Sequence, residues 1–169
     1  MKSLVPRLVL VAVLLLVIGP TPSGMAAASM QLVGGGLIGP PMQGKTIDSP
    51  SDFGFAVTPD GGTFVCSMAG PLTGGFKGLK VMTVEGPVAK GSLTLHGNTA
   101  AFKGSATVVL APGMNKEPVQ ILNDVPYNVT VGLGGPGKGW LMMEVPKFTK
   151  TLGGDTGGMV KVGSIAAGK

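Results

Sequence analysis

The spacing of glycine and proline is the feature that most limits how this chain can fold. Beyond residue 28, no stretch longer than seven residues is free of both. The longest such stretches are Thr63–Ala69, Leu79–Glu85, Ser105–Ala111 and Val119–Val125. A glycine costs a helix interior about 1 kcal/mol and a proline about 3 kcal/mol, so helices of the usual length, roughly 10 to 14 residues, are disfavoured. Strands of about five or six residues fit these stretches, and we predict an all-β protein with glycine-rich turns.

The first 28 residues have the pattern of a secretory signal peptide. Lys2 and Arg7 accompany the unbroken apolar run Leu8–Ile18, and the small residues Ala26-Ala27-Ala28 follow it, in the order that such signals have. This apolar run is too short to span a bilayer, which takes about 20 residues. We therefore expect cleavage after Ala28 and a secreted, periplasmic or extracellular product. The chain would meet a membrane only transiently, through this peptide.

Residues 29–169 have the length of one domain and a charge pattern that argues against nucleic-acid binding. Of the 13 basic residues two lie in the signal, which leaves 11 lysines against eight acidic residues and a net charge of +3. No arginine remains, although arginine is the preferred residue for bidentate phosphate and base recognition. The lysines are scattered singly from Lys45 to Lys169, which is typical of a solvated surface.

Few residues could ligate a metal or act as a nucleophile. Cys66 is the only cysteine and excludes an internal disulfide, and its alternation with Phe64 and Met68 predicts a buried side chain. A single histidine, His96, does not provide the several ligands that zinc or copper sites need. We expect no metal and no cofactor.

Period-2 patterns between turn signals predict about nine or ten short strands in an antiparallel β-sandwich or a small barrel. The pattern Val119–Leu122 predicts an edge strand bounded by Pro118 and Pro126, and Met159–Ile165 is expected to close the sheet. The inward faces are predicted to bury Phe53, Phe55, Phe64, Cys66, Phe102, Val108, Tyr127, Val129 and Val131.

Two motifs resemble catalytic or phosphate-binding sequences without their context. The sequence Gly132–Gly139 nearly matches the pattern of the phosphate-binding loop. However, Gly139 replaces the Ser or Thr that coordinates magnesium, and the flanking residues predict strands. Asp155-Thr156-Gly157 copies the aspartic protease triplet, but only 12 residues follow it. No nucleophile-elbow sequence is present. We therefore expect that the protein is not an enzyme.

Several segments in order along the chain resemble the post-COAP domain family of small secreted bacterial β domains. They are Leu32–Gly36, Asp52–Phe55, Gly61–Cys66, Gly97–Thr107, Val125–Val131, Gly134–Gly137 and a late Gly-Gly pair. The resemblance implies a secreted β domain over most of residues 29–169. The family's function is uncharacterised, so the resemblance implies no catalytic residue.

Three classes of function follow from these observations. The first is a noncatalytic extracellular module that meets an extracellular or cell-surface partner through its glycine-rich loops Gly70–Gly75, Gly134–Gly139 and Gly153–Gly158. The second is a binding protein for a small apolar or carbohydrate ligand, for which Met68, Met82, Met142 and Met143 would line a cavity and Trp140, Lys138 and Gly137 are the candidate ligand contacts. The third is an enzyme of undetected type, which would need a buried pair among His96, Asp60, Asp124 and Glu144.

Overall fold

A computed structural model of the chain describes residues 30–39, 51–69, 79–113, 118–148 and 156–168. The predicted signal peptide, the loop Gly70–Gly75 and Asp155 lie outside the described residues, so their predictions stay open. Within the described part, the predicted all-β fold is confirmed. A single turn of helix occupies residues 146–148, and no helix in the described ranges has the length and hydropathy to cross a membrane.

Nine strands account for about three quarters of the described residues. They are β1 Gln31–Ile38, β2 Ser51–Thr58, β3 Gly61–Ala69, β4 Leu79–Val88, β5 Thr94–His96, β6 Thr99–Pro112, β7 Gln120–Gly132, β8 Trp140–Glu144 and β9 Thr156–Gly168. Turns at Pro59-Asp60 and at Gly97-Asn98, residue types common in turns, separate β2 from β3 and β5 from β6. These two boundaries therefore coincide with turn signals in the sequence, whereas β4 and β7 run through an internal proline.

The sheet closes on itself. Its strand order is β4-β3-β2-β1-β9-β8-β7-β6, every pair is antiparallel, and β4 also pairs with β6. Each of these eight strands thus has a partner on both sides, whereas the short β5 pairs only with the start of β6. Of the two predicted architectures, this pairing is that of a barrel. As predicted, the last strand closes it, because β9 pairs with both β8 and β1.

The alternating strand directions place the strand ends that flank the predicted glycine-rich loops at opposite ends of the barrel. One end holds the start of β1, the β2–β3 turn and the loop 134–139 between β7 and β8. The end of β3, the start of β4, the end of β8 and the start of β9 lie at the other end. The predicted loop Gly153–Gly158 is shorter than expected, because β9 begins at Thr156.

Aromatic side chains fill the interior of the barrel. All nine residues predicted to be buried are buried. The ring of Phe102 lies 5.3 Å from that of Phe55 and 5.7 Å from that of Phe64, and Phe64 stacks on Tyr127 at 5.1 Å. Strands β2, β3, β6 and β7 supply these rings, so the contacts join distant parts of the barrel wall through its centre.

The prediction of a separate edge strand at Val119–Leu122 is wrong. Pro126 does not end a strand; instead β7 runs without interruption through it and pairs with β6. A bulge absorbs the irregularity, because the register with β6 shifts between Ala106 and Val108. An extra residue in one strand lets regular pairing continue on both sides of the bulge. One long strand therefore forms where two short ones were expected.

Candidate functional site

The three predicted ligand contacts lie around the loop between β7 and β8. Trp140 is half-buried on the outer face of β8, opposite Gly132 of β7. A Cβ atom on Gly132 would lie only 2.1 Å from the indole Nε1 of Trp140, so the indole covers this glycine. The Trp140 ring thus packs on the barrel wall.

Backbone hydrogen bonds fix that loop against β9. The N–H of Gly137 donates to the carbonyl of Val160 at 3.1 Å, and the N–H of Val160 donates to the carbonyl of Gly139 at 2.8 Å. Lys138 and Gly137 are exposed at its tip. The loop therefore carries the predicted Lys138 and Gly137 at the barrel end, and Trp140 lies just after it.

Two adjoining grooves lie elsewhere, on the outer wall of the barrel. The polar groove, of about 660 Å³, crosses β4, β6 and β7 and is lined by the side chains of Thr83, Glu85, Ser105, Thr107, Asn123 and Asp124. The small-residue groove, of about 560 Å³, crosses β2, β3 and β4 over Gly54, Ala56, Thr63 and Val65. Both grooves share Glu85, Gly86 and Pro87, so they adjoin at these three residues.

An interruption in the β4–β6 pairing forms the floor where the grooves meet. Glu85 pairs with Thr107 and Val88 with Gly104, but Gly86 and Pro87 between them have no partner in β6. Proline has no N–H to donate to a neighbouring strand. From inside the barrel, the Tyr127 hydroxyl donates to the Pro87 carbonyl at 3.1 Å, at the place where the pairing with β6 is interrupted.

The bulge in β7 forms the opposite wall of the polar groove. Ala106 pairs with Val125 and Val108 with Leu122, so Thr107 alone faces both Asn123 and Asp124. Asp124 has a φ of 54°, a left-handed conformation that asparagine and aspartate adopt more readily than other non-glycine residues. The Thr107 hydroxyl donates to Oδ1 of Asn123 at 3.2 Å. The bulge thus adds an amide and a carboxylate to the groove wall.

The four residues proposed for an acid–base pair are dispersed. Asp60 forms an exposed ion pair of 2.9 Å with Lys90, and Glu144 accepts a 3.1 Å hydrogen bond from the side-chain amide of Asn128. His96 is exposed on β5, and Asp124 is exposed in the polar groove. No buried pair forms among these four residues.

Burial governs the ionisation of Cys66 and Tyr127. Burial, together with the nearby charge of Asp52, raises the pKa of the Cys66 thiol to about 12, and burial raises the pKa of Tyr127 to about 12. Because the thiolate is the reactive form of cysteine, Cys66 is unreactive at neutral pH. Among the described residues, no group of three His, Cys, Asp or Glu side chains is placed to hold a metal ion.

Comparison with protein-family models, curated proteins and solved structures gives no match. The resemblance to the post-COAP domain family stays a prediction. The outer grooves were not predicted, although the sequence carries two signals for them. Gly86-Pro87 interrupts a strand pattern, and Asn123-Asp124 precedes Pro126; residues of these types inside strands mark bulges and broken pairing.

Proposed function

We propose that the protein is exported, that residues 1–28 are its cleaved signal peptide, and that it acts without catalysis by binding an extracellular or cell-surface partner. The basic residues, apolar run and small residues at the N-terminus support export. The outer wall of the barrel, where the two grooves lie, is the proposed binding surface. This differs from the expectation that binding would occur at the glycine-rich loops.

The filled interior is the observation that carries this proposal. The rings of Phe55, Phe64, Phe102 and Tyr127 occupy the centre of the barrel, and Met68, Met82 and Met143 are buried among the core side chains. A small apolar ligand inside the barrel would have to displace them. Recognition on the outer wall needs no such rearrangement, which favours a surface-binding module over a carrier with an internal cavity.

The placement of the reactive side chains supports the absence of catalysis. General acid–base catalysis needs a titratable group within hydrogen-bond reach of the reacting proton, commonly aided by a second group. His96 lies on β5, Glu144 on β8 and Asp60 in the β2–β3 turn, and each of them is bonded elsewhere or exposed. The thiol of Cys66 is buried and protonated.

Two measurements on the producing cells and the purified product test this proposal. N-terminal sequencing of the exported protein should begin at Ser29 or within a few residues of it; an intact chain beginning at Met1 in the membrane fraction would contradict export. The purified protein should turn over ester, glycoside and peptide substrates no faster than the variants His96→Ala and Glu85→Ala do. Turnover that one of these variants loses while it stays folded would show that the protein is an enzyme.

A further inference from the structure

We propose that the polar groove binds a neutral carbohydrate chain. This inference rests on the proposed function and names the chemistry of the partner. It is carried by the hydrogen-bonding groups that the groove presents, by the small-residue groove that adjoins it and by the charges of its lining. Each of these features selects among the classes of ligand that a surface groove can accept.

The groove presents hydrogen-bonding groups that the described part of the protein does not use. The Thr107 hydroxyl donates a hydrogen bond to Oδ1 of Asn123. The two N–H donors of that amide have no partner among the described residues. The carboxylate of Glu85, which accepts only, has none among the described residues. The Ser105 hydroxyl lies on the same wall. Sugar hydroxyls both donate and accept, so they match this mixture of donors and acceptors.

The adjacency of the two grooves favours an extended ligand. Together the grooves cross β2, β3, β4, β6 and β7, and both are lined by Glu85. Val65 and Pro87 add apolar surface in the small-residue groove, as Val109 does in the polar groove. A sugar ring combines apolar C–H faces with polar edges, and a chain of such rings would follow this alternation of apolar floor and polar wall.

The charges and the strand pairing argue against other classes of ligand. Glu85 and Asp124 line the polar groove and no lysine does, so phosphate groups and nucleic acids would be repelled. Peptides that bind by strand addition need a free sheet edge, but β4 and β6 are paired on both sides. A cationic peptide that binds by charge alone is the alternative that the experiment must distinguish.

Isothermal titration of the exported protein tests the inference. The probes are cellohexaose, laminarihexaose, maltohexaose, xylohexaose and chitohexaose, with hexalysine as the cationic peptide. We expect at least one neutral hexasaccharide to bind with a Kd below about 1 mM. The double variant Glu85→Ala/Thr107→Val should weaken that binding at least about tenfold. Raising the salt from 0.05 to 0.5 M should leave it within about twofold, because the ligand carries no charge to screen.

Glu144→Ala is the matched control, since it removes an outer-face carboxylate on β8 that does not line either groove. Its affinity should stay within about twofold of the wild type. Absence of binding by all five hexasaccharides, binding that the double variant retains, or binding of hexalysine alone would each overturn the inference. Cleavage of a bound hexasaccharide, detected by mass spectrometry, would instead overturn the proposed noncatalytic function while leaving the carbohydrate site standing.

Discussion

Replacing Tyr127 by phenylalanine removes one hydroxyl from the barrel interior. The variant tests whether the hydrogen bond from this hydroxyl stabilises β4 where its pairing with β6 is interrupted. The Tyr127 hydroxyl donates to the Pro87 carbonyl at 3.1 Å, and the residue is 1% exposed. The variant Tyr127→Phe keeps the ring that stacks on Phe64 at 5.1 Å with an angle of 26° between the ring planes. The change in stability therefore reports on the hydrogen bond rather than on aromatic packing.

The expected loss is about 1–2 kcal/mol in the free energy of unfolding. A typical hydrogen bond contributes about 1 kcal/mol net, and a carbonyl left without a partner away from water adds the cost of its desolvation. For a domain of this length, a loss of that size should lower the melting temperature by roughly 3 to 8 °C. The groove floor at Pro87 should loosen as well, because the carbonyl loses the contact that fixes it.

Urea unfolding followed by the fluorescence of Trp140, the single tryptophan, measures this loss. The control is Thr94→Val, which removes a hydroxyl that donates to the Ala101 carbonyl at 3.4 Å on an exposed part of β5. Water can replace that donor, so the control should lose less than about 0.5 kcal/mol. If Tyr127→Phe were as stable as Thr94→Val, the hydroxyl would not support the broken pairing, and the reasoning would be refuted.

Two further predictions concern a close backbone approach and the dependence of stability on pH. Gly163→Ala should destabilise the protein by more than about 3 kcal/mol, because φ is +90° there and the new Cβ would lie 2.0 Å from the carbonyl oxygen of Gly35. Gly137→Ala, at a φ of +75° with open space around it, should cost only about 1 kcal/mol; equal losses in a thermal melt would contradict the steric argument. The contribution of Cys66 to stability should be constant below about pH 9 and fall above it, because the Cys66 thiol, whose pKa rises from 9.0 to about 12 on folding, ionises first in the unfolded chain. The loss from Cys66 is roughly 1.4 kcal/mol per pH unit between pH 9 and 12, and Tyr127, whose pKa is also raised, adds to it at higher pH. Cys66→Ala should flatten the decline between pH 9 and 10, and an unchanged slope in urea midpoints would show that the thiol does not cause it.

The sequence alone determined the class of fold and the side of each strand that faces the core. Glycine and proline interrupt the chain too often for helices, which is a local property of the backbone. Alternation then placed Phe64 and Cys66 of β3, and Tyr127 and Val129 of β7, in the interior, because successive side chains of a strand point to opposite faces. Neither inference needs to know which strands are neighbours.

Only the tertiary structure decided that the sheet closes as a barrel and where its grooves lie. Closure depends on the pairing of β4 with β6 and of β9 with β1, which joins residues far apart in the sequence. A tryptophan beside a glycine-rich loop predicts ligand contacts at Trp140, Lys138 and Gly137. In the structure, the Trp140 indole instead lies against Gly132 of a neighbouring strand. No sequence pattern marks Glu85 as a site residue, because an exposed carboxylate in a strand is common. It lines both grooves, beside the unpaired residues Gly86 and Pro87 and near the bulge of β7. A groove is set by the packing of several strands, which no single stretch of sequence encodes.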